Sequence, residues 1–361
     1  MLRDADGRPV DPTGAWFVQH GLDVEMDWYG GDPLPFHTPN DRFFVRNHSA
    51  APDLDPRTWR LRVHGDGVRA PQEYALADLR ALGSTSYDRA LECTGNGRRL
   101  FADQQGTWRP GTPWGLGAIG MASWTGVPLR TVLADAGVDA RAVQVMAAGL
   151  DAPYSYDGVD FGHVRRPLPI AKALDDVLLA WEMNGEPLPR EHGFPVSLVV
   201  PGWVGIASIK WLGSLEVTTR AETSPWNTRW YRMHGAGYDG QPAAELGRMP
   251  VKSMLDLAPG TPVAVGEPIT LTGRAWAGEA SIDRVEVSVD DGPWQPADLS
   301  GPNEVSAMVQ FAWRWTPARP GPVELRTRAT DSTGRTQPDV APPNDDGYLF
   351  WAVVRHQVDV V

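Results

Sequence analysis

The sequence predicts an α+β domain over residues 1–250 followed by an all-β, immunoglobulin-like sandwich over residues 251–361. Three observations carry that prediction. Short helical periods lie among many short strands, without the regular β–α alternation of a doubly wound sheet. After Met249-Pro250 the texture changes, and from Thr261 on strictly alternating strands replace any helical period. Glycine (38) and proline (33) are spread along the whole chain, which marks many turns between short elements.

In order, Pro9 to about Asn40 reads as loop, with Pro, Gly and Asp every few residues. Arg42 to His48 (RFFVRNH) reads as a short strand or strand end. Trp59 to His64 alternates apolar and polar residues and is turned by Gly65-Asp66-Gly67. Tyr74 to Leu82 places apolar residues at helical spacing and stops at Gly83; Val127 to Ala136 does the same and stops at Gly137. Ala142–Ala147 and Pro195–Val200 are strand-like. In the second unit, Ile269–Gly273, Val285–Val289 and Val323–Thr327 alternate, with turns at Asp290-Asp291-Gly292 and Asp331–Gly334. These short strands suit a sandwich without a disulfide.

Composition narrows the function classes. Lys and Arg number 33 against 45 Asp and Glu, a net charge of −12 that argues against nucleic acid or an anionic membrane surface as main partner. No run approaches the roughly 18 apolar residues of a spanning helix. The first residues, MLRDADGRPVDPTG, hold no apolar signal core, so the chain as it stands is expected in the cytoplasm, or in the periplasm if a leader was removed. One cysteine, Cys93, excludes an intramolecular disulfide, Cys-ligated Fe–S clusters and the C-x-x-C-H haem signature. Only Lys172, Lys210 and Lys252 are lysines, so each draws attention.

Cys93 lies in Leu91-Glu-Cys-Thr-Gly-Asn-Gly-Arg-Arg99. Glycines at 95 and 97 let backbone approach a bulky group, and Arg98 and Arg99 favour thiolate. A thiolate in an arginine-lined loop can be a nucleophile or a soft metal ligand, and spacing alone does not separate the two.

Together with Arg42–His48, the Glu92–Arg98 loop resembles the sulfite oxidase family, as do Trp114–Gly120, Trp124–Leu129, Leu179–Pro195, Val200–Gly205 and Ile209–Gly213. The resemblance implies a sulfite-oxidase-type molybdopterin-binding domain with a C-terminal Ig-like dimerisation domain, hence a homodimer. By that resemblance Cys93 is the thiolate ligand of molybdenum. Phe44, Arg46, Asn47 and His48 match the loop along the cofactor, and Asp151 matches a pterin-binding acid. His192, Ser208 and Lys210 match groups that hold the pterin and its phosphate. Arg46 and Arg98 match pocket arginines, whose guanidinium forks suit an oxyanion. Trp114 matches a pocket-lining tryptophan, and Tyr231 the tyrosine near the metal's oxo group. Arg165 and Arg166 read as a solvated pair.

The implied activity is oxidation of sulfite to sulfate, with electrons passed to an external acceptor such as a c-type cytochrome. Haem, Fe–S and flavin are not expected in the chain; nothing like a haem module fits the first 35 residues. Oxidation of a sulfane or carrier-bound sulfur is the alternative. From a different class, a non-catalytic anion-binding protein would leave Cys93 a buried thiol. Nitrate reduction and methionine-sulfoxide reduction on the same scaffold are disfavoured by the missing flavin and haem modules and by the second domain. One departure stands out: Ser197 occupies a position where the animal enzymes carry arginine, so a cation is lost there or supplied elsewhere, with Arg165 and Arg166 as candidates.

Overall fold

The computed structural model describes residues 16–30, 34–235, 238 and 244–361, together with the backbone of residues 2–3 and 9–10. The N-terminal unit is built on two sheets. The first runs Arg165–Pro169, Gln144–Gly149, Leu212–Thr218, Leu61–His64, Gln72–Tyr74, antiparallel except where Leu212–Thr218 meets Leu61–His64. The second runs Glu186–Pro187, Leu178–Met183, Ile119–Pro128, Thr85–Glu92, with Ser197–Val199 also paired to Leu178–Met183. Leu61, Val145 and Leu215 of the first pack with Val127, Leu179 and Leu198 of the second in one core. Helices Leu76–Ala81 and Leu129–Asp135 fall inside the two expected periods and bury Leu79, Leu129, Val132 and Leu133.

Two local expectations are corrected. Part of the supposed loop from Pro9 to Asn40 is a hairpin, Phe17–His20 with Asp23–Met26, turned at Gly21 with φ +72°; residues 11–15 and 31–33 of that stretch lie outside the described residues. Its second strand buries Asp23 and Glu25, and those polar residues hide its amphipathic signal. Arg42–His48 is not a strand: only Val45 pairs, with Val24, and the rest is loop that carries side chains inward.

Strands from Lys252 onward make a two-leaved sandwich. One leaf holds Lys252–Leu255, Ile269–Trp276 and Met308–Trp315; the other holds Ile282–Val289, Gly321–Asp331, Val354–Val360 and Pro262–Val263. Gln295–Ser300 pairs with both and joins them. Leu271, Val309, Phe311 and Trp313 face Val285, Val287, Leu325 and Val358 across the core, and half-buried Trp315 packs beside them. Gly273 is required there, since a Cβ would sit 2.2 Å from the Phe311 ring. Trp294 lies outside this core, with the Arg328 guanidinium 4.2 Å from its ring centre.

The units are not beads on a string. Met26, Trp28, Ala90, Ile119 and Met121 share a buried cluster with Met254, Trp276 and Met308. The connection between Gly321–Asp331 and Val354–Val360 also reaches back, so that Phe350 packs on Phe101 at 5.1 Å between ring centres. Among the described residues no helix is long and apolar enough to cross a membrane.

Candidate active site

Strand ends and turns of the N-terminal unit converge on one cleft, a concave site with a few convergent polar groups of the kind that takes a small molecule. Cys93 follows the end of Thr85–Glu92, and Asp151 follows Gln144–Gly149. His192 closes a 3-10 turn at Arg190–His192, while Ser208 and Lys210 follow another at Gly205–Ala207. Tyr231 comes three residues after the short helix Pro225–Thr228, held at φ +58°. Phe44, Arg46, Asn47 and His48 enter from the Val45 loop. All ten of these residues line the cleft.

Arg98 and Trp114 do not. The Arg98 guanidinium turns away, its Nε donating to the Asp346 carbonyl at 2.9 Å and Nη1 to the Thr112 carbonyl at 2.7 Å. Trp114 is 1% exposed and packs behind Phe43 and Phe44. Arg165 and Arg166 are also corrected. They lie on a strand, not in a solvated loop, and its alternation leaves Arg165 exposed while burying Arg166. Arg166 donates to the Trp226 and Leu246 carbonyls and pairs with Glu245 at 3.2 Å. Neither lines the cleft, so neither replaces the cation missing at Ser197, which is buried with its hydroxyl on the Ile209 carbonyl at 3.3 Å. Lys210 is the cation beside it: a Cβ on Gly193 would lie 2.9 Å from Ser197 Cβ and 3.1 Å from Lys210 Cβ.

The cleft is cationic and its charged groups are deeply placed. Arg46 has no hydrogen-bond partner among the described residues. Burial works against its charge, but the acidic groups of Tyr231, Asp23 and Cys93 outweigh that and raise its pKa. Burial raises the Cys93 thiol, with the Arg46 guanidinium the chief opposing influence. Lys210 donates to Asn47 Oδ1 and, at 2.8 Å, to the Glu191 carbonyl; burial lowers it to about 8 even though Glu191 favours its charge. Burial and then Lys210 bring His192 down to about 3, and burial, Arg46 and Lys210 drive His48 well below its usual range, so both imidazoles are neutral. His48 Nε2 and the Tyr231 hydroxyl share a hydrogen bond at 3.0 Å. Burial pushes Tyr231 up to about 12, so it stays a phenol.

Several residues were not found by motif. Asp23, from the unforeseen hairpin, accepts from the Asn47 N–H at 3.1 Å and the Thr112 hydroxyl at 2.8 Å. Glu191 accepts from Asn47 Nδ2 at 2.8 Å; its position beside His192 was the available signal. From the C-terminal unit, Tyr348 stacks on Tyr231 at 5.4 Å, and the Leu349 N–H donates to the Thr94 carbonyl at 2.8 Å. No local pattern announces such a long-range contact.

The residues fit a sulfur-ligated metal on an anionic organic group. One soft thiol shares the cleft with two cations, and buried Thr94 Oγ1 and Asp151 Oδ1 in the wall have no hydrogen-bond partner among the described residues. Comparison with known proteins agrees. Residues 48–226 match the oxidoreductase molybdopterin binding domain and residues 246–356 the Mo-co oxidoreductase dimerisation domain. Mitochondrial sulfite oxidase of Mus musculus is 36% identical over 90% of this chain and 62% of its own length; the chain thus spans under two thirds of that relative. Sulfite oxidase of Gallus gallus is 37% identical over 85% of this chain and 69% of its own. The sulfane dehydrogenase SoxCD of Paracoccus pantotrophus superposes with a TM-score of 0.79 at 27% identity, over 96% of this chain and 89% of that one.

Proposed function

Since the chain belongs to the sulfite oxidase family of molybdopterin-binding oxidoreductases, we propose that it oxidises sulfite to sulfate and passes the electrons to an external acceptor such as a c-type cytochrome. The observation that carries this reading is the convergence of the Cys93 thiol, the unpartnered Arg46 guanidinium and Lys210 in one cleft. The molybdenum-pterin group, when bound, supplies the two-electron redox chemistry at sulfur. Cys93 would ligate the metal as thiolate, and Asp151 Oδ1, Ser208 and the neutral His192 would hold the pterin by hydrogen bonds. Lys210, oriented by Asn47 and Glu191, would meet its phosphate as a point charge.

Arg46 orients the substrate. Its free fork offers parallel N–H donors to an oxyanion in a site where burial strengthens every charge interaction. Tyr231 stays protonated and, with His48, presents a neutral hydrogen-bonding edge beside Arg46. Because Arg98 is spent on two carbonyls, Arg46 is the guanidinium left to hold the anion; Arg98 acts by holding the Thr112 and Asp346 loops in place.

The likeness to the sulfane dehydrogenase over nearly the whole chain favours a second reading, oxidation of a sulfane or carrier-bound sulfur. Steady-state rates of the molybdenum-loaded chain with sulfite and thiosulfate, read by ferricyanide and cytochrome c reduction, decide between them. Turnover with sulfite supports the first reading, and turnover with thiosulfate alone supports the second. In either case the C-terminal unit pairs two copies of the chain, and light scattering of the full chain checks it.

A further inference from the structure

The scarcity of lysine singles out Lys252, which the cleft does not use. It opens the first strand of the C-terminal unit opposite Trp276 in register, and both side chains enter the N-terminal unit. Lys252 Nζ pairs with Glu92 Oε1 at 2.6 Å, with both side chains at most 4% exposed. The same ammonium donates to the Asn96 carbonyl at 3.0 Å. Asn96 Nδ2 donates to Glu92 Oε1 at 2.9 Å, and its Oδ1 accepts from the Ala118 N–H at 3.0 Å. Trp276 Nε1 donates to Glu92 Oε2 at 3.2 Å. Within the turn, the Asn96 N–H donates to the Cys93 carbonyl at 2.9 Å.

These contacts grip both ends of the Cys93 turn from behind, since Glu92, Asn96, Lys252 and Trp276 are all absent from the cleft lining. A buried ion pair is a poor device for stability alone, because two ions leave water and apolar residues of equal volume serve as well or better. What this pair adds is direction: it fixes the carboxylate before Cys93 and the carbonyl three residues after it. We propose that Lys252 is a positioning residue of the C-terminal unit, which through Glu92 and Asn96 holds Cys93 in the cleft beside Arg46. Only the catalytic consequence rests on the functional reading above; the placement of the thiol does not.

Cys93 is the one thiol of the chain, so it reports on its own turn. The experiment measures the rate at which iodoacetamide and a bulky maleimide modify Cys93 in the full chain purified without cofactor. In Lys252→Met, melting above the assay temperature, the thiol reacts about tenfold faster or more and the preference for the small reagent is lost, as local opening dictates. The double variant Glu92→Gln/Lys252→Gln keeps an amide donor to the Asn96 carbonyl without burying charge, and returns the rate to within about threefold of the native one. In the loaded enzyme Lys252→Met lowers kcat by about tenfold or more with KM changed less than about threefold, since the substrate's cation is untouched. A folded Lys252→Met with native thiol rates overturns the proposal. If that variant does not fold, the double variant decides: a native rate supports the clamp and a tenfold faster one overturns it. Absence of sulfite turnover in the native chain would overturn the functional reading and leave the thiol result standing.

Discussion

The cleft and the sandwich both bury polar groups, and they differ in where the unpaired ones gather. In the sandwich the Ser253 hydroxyl donates to Gln337 Oε1 at 2.6 Å and shares a hydrogen bond with the Thr327 hydroxyl at 3.1 Å, and the Leu255 N–H donates to His356 Nε2 at 3.2 Å. Those groups are satisfied by the chain itself. In the cleft, Thr94 Oγ1 and Asp151 Oδ1 find no such partners among the described residues. A buried polar atom without a partner costs on the order of 1–3 kcal/mol, so a chain that carries several in one place is shaped for a ligand. The comparison teaches that the first unit gathers unpaired atoms in a cleft that can take a ligand, whereas the second leaves Ser306 Oγ and Arg326 Nε unpaired among the described residues away from that cleft.

Four substitutions break or sharpen that contrast. Cys93→Ser has the largest expected effect: the chain folds, but sulfite turnover falls to background, because a serine hydroxyl is harder and far less acidic than a thiol. Molybdenum analysis and turnover on the same sample check it; near-native turnover with metal bound would remove Cys93 from the site. Phe311→Ala should do the reverse, costing about 3–5 kcal/mol of stability with the KM for sulfite unchanged, as Phe311 is 1% exposed in the sandwich core. Denaturant unfolding beside steady-state kinetics tests the pair of claims.

The third concerns pH. Burial pushes His356 down to about 4, so the folded chain leaves it neutral while the unfolded chain takes up a proton near pH 6.5. The unfolded state then binds more protons, and stability falls as pH drops below 6.5, the loss from this group levelling off below about 4 at about 3 kcal/mol. His356→Gln removes that contribution, so its unfolding free energy should fall less steeply than that of the native chain between pH 7 and 4. Parallel acid limbs would mean that His356 is not neutral in the fold.

Much of this was legible in the sequence, for reasons that differ between the units. Period-two alternation placed Ile269–Gly273 and Val285–Val289 in strands because each has one face in the core. Contiguous motifs placed Cys93, Arg46, His192 and Lys210 because the residues that face one cleft come from short, glycine-rich turns. The hairpin Phe17–Met26 was missed because its buried strand carries Asp23 and Glu25, whose partners lie at Thr112, Gly117 and Asn47. Arg166 is buried rather than solvated because successive strand residues point to opposite faces, so that Arg165 is exposed and Arg166 turns inward. The reach of Tyr348 and Leu349 into the first unit leaves no local trace, being a contact across more than a hundred residues. Lys252 was flagged only by scarcity; its partner Glu92 was visible beside Cys93, but the pairing was not.

The most direct test of the central claim is the fourth substitution, Arg46→Gln, in the molybdenum-loaded full chain. Losing the guanidinium that lines the cleft should cost about 1.5–3 kcal/mol of transition-state binding, which is about 10–100-fold in kcat/KM for sulfite, carried mainly by KM. Metal content and melting temperature should stay native. A change below about threefold, with cofactor bound, would contradict the account by showing that the anion is held somewhere else.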